Sequence, residues 1–145
     1  MKLIQKQVVY GKEGEHETPY LTRWKIGRLR FHIFHRGDAD PDLHDHPWRF
    51  WTFPLTPYVE QTQKGYQVVD AFRLHFRPAS HAHRVVARVT TDGGPCSKYV
   101  TPVLSDKPIY TIVWVGKKER DWGFHVEGRR GTRWIPWREY IFGAR

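Results

Sequence analysis

The chain has 145 residues, a formal charge of +9 and a sequence that is 39% hydrophobic and 15% aromatic. That length suits one domain, here 1–145, and the apolar and aromatic content excludes wholesale disorder. No stretch nears the roughly 20 apolar residues of a membrane-spanning helix, the first residues show no secretory signal, and a single cysteine, Cys96, points to a reducing, cytoplasmic setting.

In chain order, Leu29, Phe31 and Ile33 alternate with Arg30, His32 and Phe34, the period of two expected of a strand. Trp48, Phe50 and Thr52 alternate with Arg49, Trp51 and Phe53 in the same way. Further runs at 66–69, 71–76, 84–90, 99–104, 109–115 and 122–126 are rich in the β-branched and aromatic residues that strands prefer. Turn chemistry separates them: Arg36-Gly37-Asp38, Lys64-Gly65, Asp92-Gly93-Gly94-Pro95, 105–108 and Gly116-Lys117-Lys118. The only helical candidate is a turn or two at 137–141. Many short strands at this spacing predict an all-β sandwich or barrel.

Polar chemistry is densest at 38–51, where His44 and His46 flank Asp45. Residues two apart on an extended strand share a face, so two imidazoles lie side by side with Asp45 turned away. Paired imidazoles are half of a site for a divalent metal. Pro78-Ala79-Ser80-His81-Ala82-His83 offers the rest. The acidic residues at 38–45 lack the glycine and glutamate of a calcium-binding EF-hand loop and read as a solvated turn.

His44-x-His46 followed by Pro78-x-Ser80-x-x-His83 resembles the two metal-binding motifs of the cupin superfamily. The resemblance spans roughly 20–140 and implies a double-stranded β-helix, or jelly roll, with His44, His46 and His83 as metal ligands. Two departures stand out: Ser80 replaces the usual glycine, and the glutamate of the first motif would fall at Phe50 or Trp51, neither of which binds metal. A three-histidine set is similar to that of the thiol dioxygenases. It implies a non-haem iron oxygenase acting on a small molecule, with Fe2+ first and Zn2+, Ni2+ or Mn2+ as alternatives. His81, Glu60 and one of Asp38, Asp40 or Asp42 are candidates for a fourth ligand, and His81 is equally a candidate to orient another ligand.

Arg30, His32 and Tyr58, with Arg84, are candidates to place the charged end of a substrate; Arg30 and His32 share a strand face. Trp122, Trp134 and Trp137 read as packing that closes the barrel, or second as a homodimer contact. Three rival functions remain at this stage. One is metal-dependent isomerase, lyase or hydrolase chemistry. Another is a metal-poor cupin that binds a ligand or nucleic acid through its basic surface. The third is sugar-nucleotide epimerisation, with His44 or His83 as base beside a carboxylate.

Overall fold

The computed structural model describes residues 3–13, 16–92 and 101–143. Cys96 and the turn at 93–95 lie outside them. Sheet A has the strand order β1 (Gln5–Glu13), β2 (His16–Ile26), β3 (Leu29–Phe34), β11 (Ile109–Val115), β5 (Phe50–Pro54), β8 (His75–Arg77). Sheet B runs β13 (Gly131–Pro136), β12 (Gly123–Gly128), β4 (Leu43–His44), β9 (His83–Asp92), β6 (Tyr58–Thr62), β7 (Gly65–Val69), with β10 (Thr101–Ser105) against the far end of β9. Every pairing is antiparallel.

Numbering β3 to β9 and then β11 as strands one to eight gives orders 1-8-3-6 and 2-7-4-5. That connectivity is the jelly roll, two interlocked Greek keys. The all-β, double-stranded β-helix expected from the sequence is therefore the fold. β1 and β2 widen one sheet beside β3, and β12 and β13 widen the other beside β4. The six-residue helix α1 (Trp137–Phe142) follows β13. Among the described residues no helix is long and apolar enough to cross a membrane.

Alternation in β11 defines the inside. Ile109, Thr111, Val113 and Val115 are buried while Trp114 between them is half exposed. Opposite residues share a face, so Phe34, His32 and Arg30 of β3 and Pro54, Thr52 and Phe50 of β5 also point inward. Ile109 and Phe34 pack against Tyr58, Val69 and Val85 of sheet B, and Phe50, Val113 and Val115 form a second cluster with Trp48. Gly37 lets the chain return closely over β9: a Cβ there would lie 2.0 Å from the Val86 carbonyl oxygen. The next residue, Asp38, donates its N–H to the Val85 carbonyl at 2.8 Å.

Strand limits differ from the sequence pattern in two places. The run at 71–76 is a strand only from His75, because a turn precedes it in which Phe72 takes a left-handed backbone (φ 57°). Trp48 precedes β5 and packs on the second core cluster.

Candidate metal centre

β4 is only two residues long, but its continuation stays extended by borrowing partners from two directions. Asp45 donates its N–H to the Gly123 carbonyl and His46 donates its own to the Ala79 carbonyl, each at 3.0 Å. His44 stands opposite His83 of β9. The three rings converge: centroids are 5.3 Å apart for His44–His46, 5.1 Å for His44–His83 and 5.0 Å for His46–His83. One ligand nitrogen from each lies within 4.8 Å of the others.

The residue between the pair turns the other way, as the period of two requires. Asp45 is 1% exposed, and its carboxylate accepts the Gly123 N–H at 2.8 Å, His125 Nε2 and Trp134 Nε1 at 3.0 Å, and Arg120 at 3.1 Å. Four donors from 120–134 thus anchor the segment that carries both histidines. Asp38 is buried as well, with Val85 N–H on one oxygen at 2.6 Å and the Tyr20 hydroxyl on the other. The 38–45 stretch is thus a solvated turn at 39–41, as its composition suggests, with internal tethers at Asp38 and Asp45.

The imidazoles are suited to a cation. Burial, then the charges of His83 and His81, lowers His44 to about 3. Burial, followed by the neighbouring His83, His44 and His81, holds His46 well below the usual histidine range. Both rings are neutral at pH 7, the form that binds metal. His46 Nδ1 is buried with no hydrogen-bond partner among the described residues. The His81 backbone also hydrogen-bonds this ring, so the fit to a metal rests on the convergence of the three imidazoles.

Glu60 on β6 is fully buried behind His83. Its carboxylate accepts His83 Nδ1 at 2.6 Å, Gln67 Nε2 at 2.5 Å and Arg77 at 2.8 Å, with His81 Nε2 at 3.5 Å. Burial alone would raise its pKa, but the hydrogen bonds from His81 and His83, the charge of His83 and the Gln67 bond outweigh it, so the group stays ionised. An ionised carboxylate only accepts, so His83 Nδ1 carries the proton and Nε2 keeps a lone pair for a metal. Glu60, His81 and His83 also form a second group of potential ligands within 4.8 Å. His81 accordingly stands beside the carboxylate and His83, its ring 4.9 Å from that of His83. The sequence names Glu60 only as one candidate for a fourth ligand.

Aromatic side chains wall the triad. Phe50, where the cupin motif would have its glutamate, lies 4.7 Å from His46 and 6.4 Å from His83 by ring centroids. Trp122 and Phe124 lie 6.3 and 6.0 Å from His44. Trp122 stacks on Trp137 at 5.5 Å and Phe124 on Tyr140 at 3.8 Å, so the aromatic tail closes this end of the roll. Two depressions of about 360 and 340 Å³ lie elsewhere, and neither is lined by His44, His46 or His83.

Of the other candidates, Tyr58, Arg30 and His32 fall on the inside of the roll, whereas Arg84, between the inward His83 and Val85, faces outward. Tyr58 is a core residue beside Val69, Val85 and Ile109, its hydroxyl pushed above its usual pKa by burial and then by Glu60. Arg30 and His32 point inward from β3, two strands away from β5. Arg84 reaches the Asp40 carbonyl at 3.4 Å. His125 and His35, which have no partner by spacing, bond Asp45 and Thr22 respectively.

No family model matches the chain, and neither does any curated protein. Among solved structures, a cupin domain of Bordetella pertussis Tohama I is similar over 81% of this chain and 99% of that one, with 16% identity and a TM-score of 0.39.

Proposed function

We propose that the protein is a metal-dependent enzyme of cupin type that acts on a small molecule at His44, His46 and His83. The single observation that carries this reading is the convergence of three imidazole nitrogens within 4.8 Å inside a jelly roll. Three neutral ligands leave coordination positions for other donors, which separates catalytic sites from closed structural ones. Fe2+ is the first choice and oxygenase chemistry the corresponding reaction. Bound there, the ion would supply a redox centre with open positions for dioxygen and substrate. The protein's part is to hold His83 in one tautomer through Glu60, to wall out water with Phe50, Trp122 and Phe124, and to anchor the ligand segment through Asp45. Arg30 and His32 are the candidates to position a substrate's charged end.

A second reading rests on a separate observation. The 2.6 Å bond between His83 and a buried, ionised Glu60 is the arrangement of a general base and the carboxylate that orients it. It supports proton abstraction without redox chemistry, whether with Zn2+, Ni2+ or Mn2+ as Lewis acid or with no metal.

The test is elemental analysis of anaerobically purified protein beside His46→Ala, followed by oxygen-uptake screens with thiols and small acids. Near-stoichiometric iron that disappears in the variant, with substrate-dependent oxygen uptake, supports the first reading. Zinc, nickel or manganese without oxygen uptake supports the second. Metal content that is unchanged in His46→Ala overturns the triad.

A further inference from the structure

We infer that the inner faces of β2 and β3 form a binding site for a small oxyanion, a phosphate or carboxylate group, built from Arg23, Lys25, Arg30 and His32. This deepens the proposed small-molecule site by naming the charge of what enters it, and it rests on that reading for its biological meaning. The register puts Arg23 opposite His32 and Lys25 opposite Arg30. Side chains opposite one another share a face with Cβ atoms about 5 Å apart. Arg30 and His32 lie on the face that also carries Phe34, Thr111 and Val113 of the interior, so Arg23 and Lys25 join them there.

Three permanent cations packed around one imidazole repel one another, and like charges opposite in a sheet are destabilising. Among the described residues no carboxylate forms an ion pair with Arg23, Lys25 or Arg30. Arg77, also inward-facing, has its counter-charge in Glu60 at 2.8 Å.

Two polar atoms inside the group lack partners. Arg23 Nε and His32 Nε2 are both buried and have no hydrogen-bond partner among the described residues. A buried donor without an acceptor is costly, and an unpaired buried charge more so. An oxyanion supplies an acceptor for the Arg23 guanidinium and for His32 Nε2 in the tautomer that protonates it, and a counter-charge for all three cations. Arg30 is steadied at the hairpin end by the carbonyls of Gly27 and Leu29. Next to His32, the Thr111 hydroxyl bonds that of Thr52 at 2.7 Å, which extends the polar lining toward β5. From β3 to β5 is two strand spacings, roughly 10 Å. Phe50, two residues before Thr52, touches His46. The position suits a ligand whose anionic end sits on β2 and β3 while its other end faces the histidines.

The test is calorimetric titration of the full chain with inorganic phosphate and, separately, with acetate. The proteins compared are wild type, Arg23→Gln, Lys25→Gln, the exposed control pair Arg129→Gln/Arg130→Gln, and His46→Ala. Expected is saturable 1:1 binding of one or both anions, weakened at least tenfold by Arg23→Gln and at least threefold by Lys25→Gln, and unchanged in the control pair. If Arg23→Gln fails to fold, the more peripheral Lys25→Gln carries the comparison. Phosphate without acetate, or the reverse, assigns the head group. No saturable binding of either anion, or equal weakening in the control pair, overturns the inference. His46→Ala should keep anion binding while losing metal, so an intact anion site with no metal in wild type sinks only the metal reading. Anion binding that vanishes in His46→Ala places the anion at the histidines and overturns this site.

Discussion

Replacing Glu60 with glutamine separates the two metal groups that share His83. The amide would keep the shape and one acceptor oxygen but lose the charge, leaving the Arg77 guanidinium without its buried counter-ion. Removing one partner of a buried pair costs about 3–5 kcal/mol. Because the amide still accepts, the lower end, about 3 kcal/mol, is the better figure. For a chain near 150 residues that is a fall in Tm of roughly 10 °C, and most domains have enough stability to remain folded. Loss of a carboxylate that orients a ligating histidine typically weakens metal binding about 10- to 100-fold, some 1.4–2.7 kcal/mol. Urea unfolding in EDTA measures the first quantity, and Zn2+ competition against a chromophoric chelator the second. If the centre is His44, His46 and His83, His46→Ala should abolish tight binding and His81→Ala should change affinity less than about threefold, against the tenfold scale set by Glu60. Zinc affinity in Glu60→Gln within twofold of wild type refutes the orienting role. A loss in His81→Ala as large as in His46→Ala moves the metal to Glu60, His81 and His83.

Acid should destabilise the metal-free protein. His32 and His44, each lowered to about 3, are neutral when folded, so their stability is present above the ordinary value of 6.5 and is lost as pH falls toward 3. Asp38, raised to about 6 by burial, is more protonated when folded and offsets part of that loss. The net is on the order of 3 kcal/mol between pH 7 and 4.5, measured by urea unfolding in EDTA, and equal stability at the two pH values contradicts it. Phe50→Glu should cost about 4 kcal/mol by emptying a core position and burying a carboxylate. It should regain at least half of the lost Tm on zinc saturation because Phe50 adjoins His46; no recovery means the new carboxylate does not reach the metal. Asp45→Asn should cost about 3 kcal/mol, since four donors converge on one buried carboxylate. Thermal melts measure it, and a change under about 0.5 kcal/mol, the level of an ordinary surface substitution, means the network is not what anchors the segment.

Much of the centre was legible because its logic is local. His44 and His46 follow from a period of two, and His83 from the resemblance of 78–83 to the second cupin motif. The interior strand β11 matches its alternation from Ile109 to Val115. β1, β2, β6 and β13 escaped: β13 is a widening strand of mostly exposed residues, and β2 and β6 mix polar with apolar residues on their inward faces. Glu60 was only one of several acidic candidates because its role depends on β6 pairing with β9, a register in which it faces Val85 across 25 positions. An acidic residue two after a buried aromatic, sharing the inward parity of Tyr58, is the signal that would have raised it. Arg23 and Lys25 were invisible for the same reason, since nothing in the chain alone places β2 beside β3 in that register.

Charge accounting joins the two inward zones. Three imidazoles contribute no negative charge, and the one carboxylate bonded to them, Glu60, is already opposed by Arg77. A divalent ion there would keep its full charge in a poorly solvated interior, where electrostatic interactions are stronger than in water. Arg23, Lys25 and Arg30 add uncompensated positive charge on the other sheet. Each zone then lowers the cost of an anion bound at the other, so metal and anion should bind with positive cooperativity. Reciprocity makes this checkable from either side: zinc should tighten phosphate binding by the same factor by which phosphate tightens zinc binding. Two factors that agree and exceed one support a shared electrostatic interior, whereas a factor of one would mean that the basic face and the histidines act as separate sites.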